Sequence, residues 1–480
     1  MNQSRREFIK HLGFLSGAAA FSQLAALAHA PAQTISGNDY KAIVCLFLYG
    51  GNDSGNMLVP FDATNYALYS KSRGSLALGQ SLLLPLQGLP YAIHPSMPEV
   101  QTMFAQKDLA FVVNMGPLVT PISKNQYLAG SVPLPQNLFS HQDQQSLMQT
   151  GAFVSGAGNG WGGSFIDALP TNCKGGVLPQ AISYAGGTVF INGPQSTGFI
   201  APSNPGASAC QEGAACAAVQ EAAAKIAACE NSVVLVQQDA SIINTINQEN
   251  QAYAQVLSGV SPLQTQFSPG VGSALQQVAQ LIQVRDKVGA PRQVFFVGLG
   301  SFDTHATQLD YHAQLLKNLS SGLSSWKQAA EELGIWNNVV LLTLSDFNRT
   351  LMANSSGGSD HAWGGHQIVM GGPVQGGSVY GTFPTLELGG PDDVDTVGRL
   401  LPTTSLTQVL AELASWFGVP ASSIASLLPN LINFQSPSVG FIRASWLPLY
   451  RGHSMRPYSF VGAMTVGIER QANYARLRRE

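Results

Sequence analysis

The chain has 480 residues, of which 45% are hydrophobic and only 11% are charged, and its formal net charge at pH 7 is −3. Disordered chains combine low hydrophobicity with high charge, so this composition excludes disorder over the chain as a whole. The slightly negative charge argues against nucleic acid as the main partner. No internal apolar run reaches the roughly 18 residues that a membrane-spanning helix needs, which excludes a multi-spanning membrane protein.

The first thirty residues have the pattern of an export signal. Arg5 and Arg6 precede an apolar stretch rich in Ala and Gly, which ends in Ala28-His29-Ala30. A charged start, an apolar stretch and a small-x-small site are typical of a cleaved signal peptide, and the paired arginines are typical of the twin-arginine route. We therefore expect the twin-arginine export machinery as a partner, cleavage after residue 30, no transmembrane anchor afterwards, and a periplasmic or secreted mature protein.

The predicted elements alternate between strands and helices, which is typical of an α/β fold with a largely parallel sheet sandwiched by helices. In chain order they are strand 42–48, helix 97–106, strand 109–113, helix 140–149, strand 293–297, helix 308–333, strand 339–344, strand 368–370 and helix 406–417. We expect all five strands to be buried and parallel, because each is a nearly continuous apolar run.

Composition divides the chain into a signal peptide, a core in two parts, a mid-chain insertion or cap, and a basic tail. The corresponding segments are 1–30, 31–151, 152–270, 271–435 and 436–480. Within the insertion we expect a few antiparallel strands over 177–200 and one or two helices over 217–257, with a plain extension of the core as the alternative. The tail has seven Arg against two Glu, so we expect it to lie on the acidic body or to contact another acidic surface.

Five cysteines in an exported chain suggest disulfide bonds, because the compartment is oxidising. Cys210 and Cys216 are separated by five residues and are suited to a small disulfide loop. Cys173 and Cys229 would form a second bond, which leaves Cys45 alone in an apolar strand. Spacing does not fix the pairing.

Acidic side chains and a histidine directly follow three predicted strands. Asp53 follows the first strand, Asp303 and His305 follow a later one, and Asp346 ends the next. The carboxyl ends of parallel strands meet at one edge of a sheet, where ligands bind. Like charges gathered inside a protein are usually offset by a cation. The pattern therefore predicts a metal site at this edge, with a helix cap or turn as the alternative for each residue taken alone.

Two further histidines, His361 and His366, lie in a glycine-rich loop. Glycine allows the backbone to approach a ligand closely, so we expect one of them to bind the metal, with a polar turn as the alternative. Imidazole with carboxylate suits Zn, Mn or Fe, whereas carboxylates alone suit Mg or Ca. The expected cofactor is one or two divalent ions of these kinds.

Ser140 and His141 begin a predicted helix. The N-terminus of a helix favours an anion such as phosphate or sulfate, through its dipole and its free N–H groups. Ser140 is therefore a candidate nucleophile, with a plain helix cap as the alternative, and His141 is the other candidate for the functional residue. Arg349 would add charge stabilisation, or form a structural ion pair.

Taken in order, these motifs resemble the family called domain of unknown function 1501, from residue 1 to about residue 434. They are Gly50-Gly51-Asn52-Asp53, Ser140-His141 with Thr150-Gly151, Phe302-Asp303-Thr304-His305, Ser345-Asp346-Phe347-Asn348-Arg349 and Ser359-Asp360-His361. That family is related to the alkaline phosphatase and sulfatase superfamily and typically uses the twin-arginine route. The resemblance implies an alkaline-phosphatase-like fold with Ser140 as nucleophile. It also implies a set of metal ligands, namely Asp53, Asp303, His305, Asp346 and either His361 or His366.

The expected function is that of a metal-dependent hydrolase acting on a small anionic phosphate or sulfate ester. The main alternative is a non-catalytic periplasmic binding or assembly factor on a degenerate phosphatase-like scaffold. Phe347, which stands where the superfamily commonly has His, and the basic tail favour that alternative. A weaker alternative is a carbohydrate-active hydrolase that uses two carboxylates.

Overall fold

The computed structural model describes residues 40–152, 157–202, 221–222, 225 and 234–447. The predicted signal peptide, most of the predicted basic tail, and Cys210, Cys216 and Cys229 lie outside the described residues. None of the described helices is long and apolar enough to cross a membrane.

The described strands are β1 (Lys41–Leu48), β2 (Leu58–Pro60), β3 (Leu84–Pro85), β4 (Tyr91–Ile93), β5 (Leu109–Gly116), β6 (Ala181–Ser183), β7 (Phe199–Ile200), β8 (Arg292–Leu299), β9 (Val339–Ser345), β10 (Gly365–Met370), β11 (Val379–Tyr380) and β12 (Thr404–Ser405). The described α-helices are α1 (Ser54–Met57), α2 (Ala63–Arg73), α3 (Pro98–Ala105), α4 (Lys124–Ala129), α5 (His141–Thr150), α6 (Trp161–Ala168), α7 (Val234–Leu257), α8 (Val271–Gln283), α9 (Arg285–Val288), α10 (Gln308–Glu332), α11 (Leu406–Phe417) and α12 (Ala421–Leu427). All nine predicted elements outside the insertion are confirmed, with ends that differ by a few residues.

The central sheet is largely parallel, as predicted. Within the described part of the chain its strand order is β11-β5-β10-β9-β1-β8-β6-β7, with β12 also paired to β5. The strand β10 is the exception, because it runs antiparallel to both β5 and β9. The prediction of a parallel strand at 368–370 is therefore wrong. A loop, rather than a crossover helix, joins β9 to β10, and a parallel neighbour would require such a crossover.

Helices cover both faces of the sheet because side chains alternate along β1. On one face, Val44 lies in the same hydrophobic cluster as Leu275 of α8 and Leu323 of α10. On the other face, the ring of Phe296 in β8 lies 4.8 Å from that of Phe190, which lies 4.5 Å from the ring of Trp161, the first residue of α6. The α/β sandwich predicted from the sequence is thus the observed architecture.

Part of the mid-chain segment extends the central sheet. The strand β6 pairs in parallel with β8, and β7 pairs in parallel with β6. The expectation of antiparallel strands over 177–200 is therefore wrong, since these short strands continue the direction of β8. Cys173 is a buried free thiol, so the expected bond to Cys229 is not present. Cys45 is a free thiol in β1, as expected.

Candidate functional site

The candidate site forms where three parallel strands end together. Leu48 is paired with Leu299 of β8 and with Ser345 of β9, so β1, β8 and β9 end at the same level. The segments that follow these strands carry Asp53, Asp303 and Asp346. Because β10 is antiparallel, the loop that precedes it also reaches this edge and brings His361 there.

Three imidazoles face the carboxylate of Asp303 at this edge. The Oδ1 atom of Asp303 lies 3.4 Å from Nε2 of His141, 3.1 Å from Nε2 of His305 and 3.6 Å from Nε2 of His361. The Nε2 atoms of His305 and His361 are 3.0 Å apart. Among the described residues, ligand atoms of His141, Asp303 and His361 form a group within 4.8 Å of one another. We call His141, Asp303, His305 and His361 together the His–Asp cluster.

The other ring nitrogen of each imidazole is held by an oxygen acceptor. His141 Nδ1 lies 2.7 Å from the buried carboxylate of Asp346, and His305 Nδ1 lies 3.0 Å from Asp360. His361 Nδ1 donates to the carbonyl of Phe139 at 2.7 Å. A carbonyl only accepts, so Nδ1 of His361 carries the proton and its Nε2 has a free lone pair. The carboxylate partners favour the same tautomer for the other two rings.

Arg349 fixes the position of Asp303. Its guanidinium is completely buried and pairs with the Asp303 carboxylate. The same guanidinium donates to three backbone carbonyls, those of Gly50 at 2.6 Å, Gly51 at 3.1 Å and Ser359 at 2.8 Å. Each of its three nitrogens is thereby engaged with protein atoms. Arg349 therefore orients Asp303 instead of presenting a free charge to a substrate.

The electrostatics keep Asp303 ionised and His361 neutral. Burial raises the pKa of Asp303, but the hydrogen bond and charge of Arg349 outweigh this, so the pKa lies below its ordinary value. Burial lowers the pKa of His361, and the charges of its neighbours lower it further against the opposing hydrogen bond to Phe139. An ionised carboxylate beside a neutral imidazole is the form that binds a metal ion.

Gly50 allows the end of β1 to approach Asp303 closely. Its φ is +112°, and a Cβ atom at this position would lie 2.4 Å from the backbone nitrogen of Asp303. We expect Gly50→Ala to displace Asp303, to lower the free energy of unfolding by about 1–3 kcal/mol, and to weaken metal binding. Denaturant unfolding and metal titration measure the two effects.

Gly88 provides a matched control for this substitution. Its φ is +79°, but a Cβ atom there meets nothing within 4 Å. Gly88→Ala therefore carries only the backbone cost of about 1–2 kcal/mol and should leave metal binding unchanged. Equal metal affinity in the two variants would contradict the assigned role of Gly50.

Asp53 lies in a separate, fully buried contact. Its Oδ2 atom accepts from both the Arg73 guanidinium and the Gln308 side-chain amide. Gln308 in turn accepts from the Ser359 hydroxyl at 2.5 Å. Asp53 is therefore joined to the His–Asp cluster through the hydrogen bonds of Gln308, Ser359 and Arg349.

His366 and Ser140 also lie outside the His–Asp cluster. His366 is buried, and its Nδ1 accepts from the backbone N–H of Asn114 at 3.0 Å. Of the two histidines proposed in the glycine-rich loop, His361 is the one that contacts Asp303 and His305. Ser140 is the N-cap of α5, and its hydroxyl donates to Asp143 at 2.7 Å. It is the next residue, His141, that enters the cluster.

Comparison with protein-family models finds a match over residues 40–407 to the family described as "Protein of unknown function (DUF1501)". The chain belongs to this family. No curated protein matches the sequence.

Three similar solved structures share little sequence with this chain and superpose on it with TM-scores of 0.33 or less. One is the lipoteichoic acid synthase LtaP from Listeria monocytogenes, with 8% identity over 83% of this chain and 78% of that one, and a TM-score of 0.30. Another is Ps i-CgsB in complex with k-i-k-neocarrahexaose, with 10% identity over 82% and 72% and a TM-score of 0.33. The third is the PsFucS1 sulfatase from Pseudoalteromonas sp., with 11% identity over 71% and 64% and a TM-score of 0.28.

Sequence reasoning missed two residues that shape this edge. Asp360, which is about half exposed, holds Nδ1 of His305, and its position directly before His361 was the available signal. Arg73 ends α2 and looks from the sequence like an ordinary cation at a helix C-terminus. Nothing in the spacing of Asp53 and Arg73 indicates that the two are paired.

Proposed function

We propose that the protein is an exported metal-dependent hydrolase that acts on phosphate or sulfate esters. The observation that carries the proposal is the His–Asp cluster, in which the Nε2 atoms of His141, His305 and His361 all face Asp303. Unprotonated nitrogens and a carboxylate oxygen repel one another at such short range. Arg349 pairs with this oxygen and lies 3.4 Å from Nε2 of His305, and a cation among the ligand atoms would offset the repulsion at His141 and His361. Periplasmic or extracellular location is proposed from the predicted signal peptide alone.

The donor atoms fit a divalent ion of the transition series. Ligands at about 2.0–2.1 Å from a tetrahedral zinc ion lie about 3.3 Å from one another. Oδ1 of Asp303 lies 3.4 Å from Nε2 of His141 and 3.6 Å from Nε2 of His361, and within the described residues the ligand atoms of these three side chains all lie within 4.8 Å of one another. Nε2 of His141 is buried and makes no hydrogen bond with any described residue. Three nitrogens and one oxygen favour Zn, Mn or Fe over Mg or Ca. When bound, such an ion supplies Lewis acidity to an ester oxygen and lowers the pKa of a nucleophile.

The protein contributes orientation and an anion-favouring environment. The carboxylates of Asp346 and Asp360 fix the ring orientations of His141 and His305, a role that typically contributes about 10–100-fold to metal affinity. His141 is the first residue of α5, so the positive end of this helix adjoins the His–Asp cluster and favours an anionic group there. About half of the Asp303 side chain is exposed, which leaves the cluster open to solvent on one side.

Metal analysis combined with an ester panel tests the proposal. We expect purified mature protein to retain a divalent ion and to hydrolyse a phosphate or sulfate ester. Asp303→Asn should lose both properties, because it removes the anionic ligand without changing the side-chain size. Asp310→Asn, an exposed change of the same kind on α10, is the matched control and should retain both. Absence of bound metal in the wild-type protein, or full activity of Asp303→Asn, would refute the proposal.

A non-catalytic binding or assembly role is the second candidate, and the engagement of Ser140 in helix capping favours it. Ser140→Asn separates the two, since Asn is an equally good N-cap but carries no hydroxyl. Loss of hydrolysis in Ser140→Asn with metal retained would identify Ser140 as the nucleophile. Hydrolysis that persists in Ser140→Asn but disappears in Asp303→Asn would support the enzyme with a different nucleophile. No hydrolysis in the wild-type protein, with metal bound, would favour the binding role.

A further inference from the structure

The two acidic centres at this sheet edge differ in charge. Around the His–Asp cluster lie three carboxylates, of Asp303, Asp346 and Asp360, and one guanidinium, of Arg349. Three carboxylates and one guanidinium sum to a charge of −2, which one divalent ion neutralises. Asp53, by contrast, pairs with Arg73, and both side chains are completely buried.

Within the described residues, the hydrogen-bond partners of the Asp53 carboxylate add no further negative charge. Gln308 donates to the same carboxylate oxygen, and Arg73 also donates to the backbone carbonyl of Thr350 at 2.9 Å. His312 lies close enough to Arg73 to be affected by its charge, and burial lowers the pKa of His312 to about 3, so this ring is neutral. The Asp53 centre is therefore already neutral, and a divalent ion there would leave a buried charge of +2, which is costly in a medium of low dielectric.

The ligands available at Asp53 also argue against a second ion there. Oδ1 of Asp53 is buried and makes no hydrogen bond with any described residue, so this carboxylate offers one oxygen to a ligand. A zinc site needs about four protein or solvent ligands. Within the described residues, the group with metal-ligating geometry contains His141, Asp303 and His361 and does not include Asp53.

We infer that the chain holds one divalent ion, in the His–Asp cluster, and that Arg73 serves as the built-in cation for Asp53 where a second ion would otherwise be required. The inference rests on the proposed function, since it takes the ion of the His–Asp cluster as given. It assigns Arg73 as a positioning residue. Gln308 and Ser359 then connect the neutral Asp53–Arg73 pair to Arg349. Gln308 donates to Asp53, the Ser359 hydroxyl donates to Gln308, and the Ser359 backbone carbonyl accepts from Arg349.

The decisive measurement is the number of metal ions per chain in the full mature protein, saturated with Zn²⁺ or Mn²⁺, dialysed, and analysed by mass spectrometry. One ion per chain is expected. Two ions per chain would overturn this inference and leave the proposed hydrolase intact, whereas no ion would contradict the proposed function itself. Asp303→Asn should bring the count to zero, and a count that stays at one would place the ion elsewhere and overturn the inference.

The double variant Asp53→Asn/Arg73→Met tests the role of Arg73 separately. It removes both charges of the buried pair and so preserves neutrality. We expect it to bind one ion with an affinity within a few-fold of wild type. A count of zero in this variant, with a native circular dichroism spectrum, would show that Asp53 is a ligand and would overturn the inference. If the variant does not fold, the wild-type and Asp303→Asn counts still decide.

Discussion

Replacing Arg73 by methionine is expected to lower the free energy of unfolding by about 3–5 kcal/mol, because it leaves the Asp53 carboxylate buried without a countercharge. Both side chains are fully buried in the wild-type protein, so water cannot compensate for the loss. Methionine retains much of the volume of the arginine stem, which limits the contribution from a cavity. Urea unfolding at pH 7, followed by circular dichroism, measures the change.

Two control variants separate the charge effect from packing. Asp53→Asn/Arg73→Met should be more stable than Arg73→Met alone, because the second substitution removes the uncompensated charge. Lys225→Met removes a cation from the exposed Lys225–Glu221 pair and should cost no more than about 0.5 kcal/mol. A small loss for Arg73→Met, or a double variant less stable than Arg73→Met, would show that the pair does not act as described.

The architecture was predictable because the central strands are buried on both faces. The run from Lys41 to Leu48 is almost entirely apolar and becomes a central strand with parallel neighbours. The direction of β10 was not predictable from its own residues, since residues 368–370 are all apolar and the whole strand Gly365–Met370 is as buried as a parallel strand. Its direction depends on the path of the preceding loop. The direction of β6 and β7 was also not predictable from their own residues, because it follows from the pairing of β6 with β8 and of β7 with β6.

The candidate site was predictable only in part. Two of the site residues, Asp303 and His305, follow strand β8, and His361 precedes strand β10, so the topology alone brings them to one edge. His141 was recognisable from the helix start it shares with Ser140, but which of the two residues faces the site depends on the helix geometry. Asp53 follows a strand just as Asp303 does, yet it meets a guanidinium from α2. The sequence cannot distinguish a carboxylate that binds a metal from one that is already paired.

Acidification is expected to destabilise the protein strongly between pH 6.5 and pH 3, because three buried histidines remain neutral in the folded state. Burial lowers the pKa of His94, His312 and His366 to about 3 each, from an ordinary value of 6.5. In the unfolded chain these rings take up protons as the pH falls below 6.5, whereas in the folded chain they stay neutral until the pH nears 3. The free energy of unfolding therefore keeps its full value above pH 6.5 and decreases as the pH falls towards 3. At about 1.4 kcal/mol per proton and pH unit, the loss at pH 5 is about 2 kcal/mol for each ring and about 6 kcal/mol in all.

Urea unfolding of metal-free protein at pH 8, 7, 6 and 5 measures this dependence without a contribution from metal release. His366→Asn is the informative variant, because its side-chain oxygen can accept the Asn114 N–H that Nδ1 of His366 accepts, while the residue no longer titrates. Its stability should fall by about 2 kcal/mol less than that of the wild type between pH 8 and pH 5. Equal losses of stability in His366→Asn and the wild type would contradict this prediction. His366 would then take up its proton as readily in the folded state as in the unfolded one, and the buried contact with Asn114 would not keep the ring neutral.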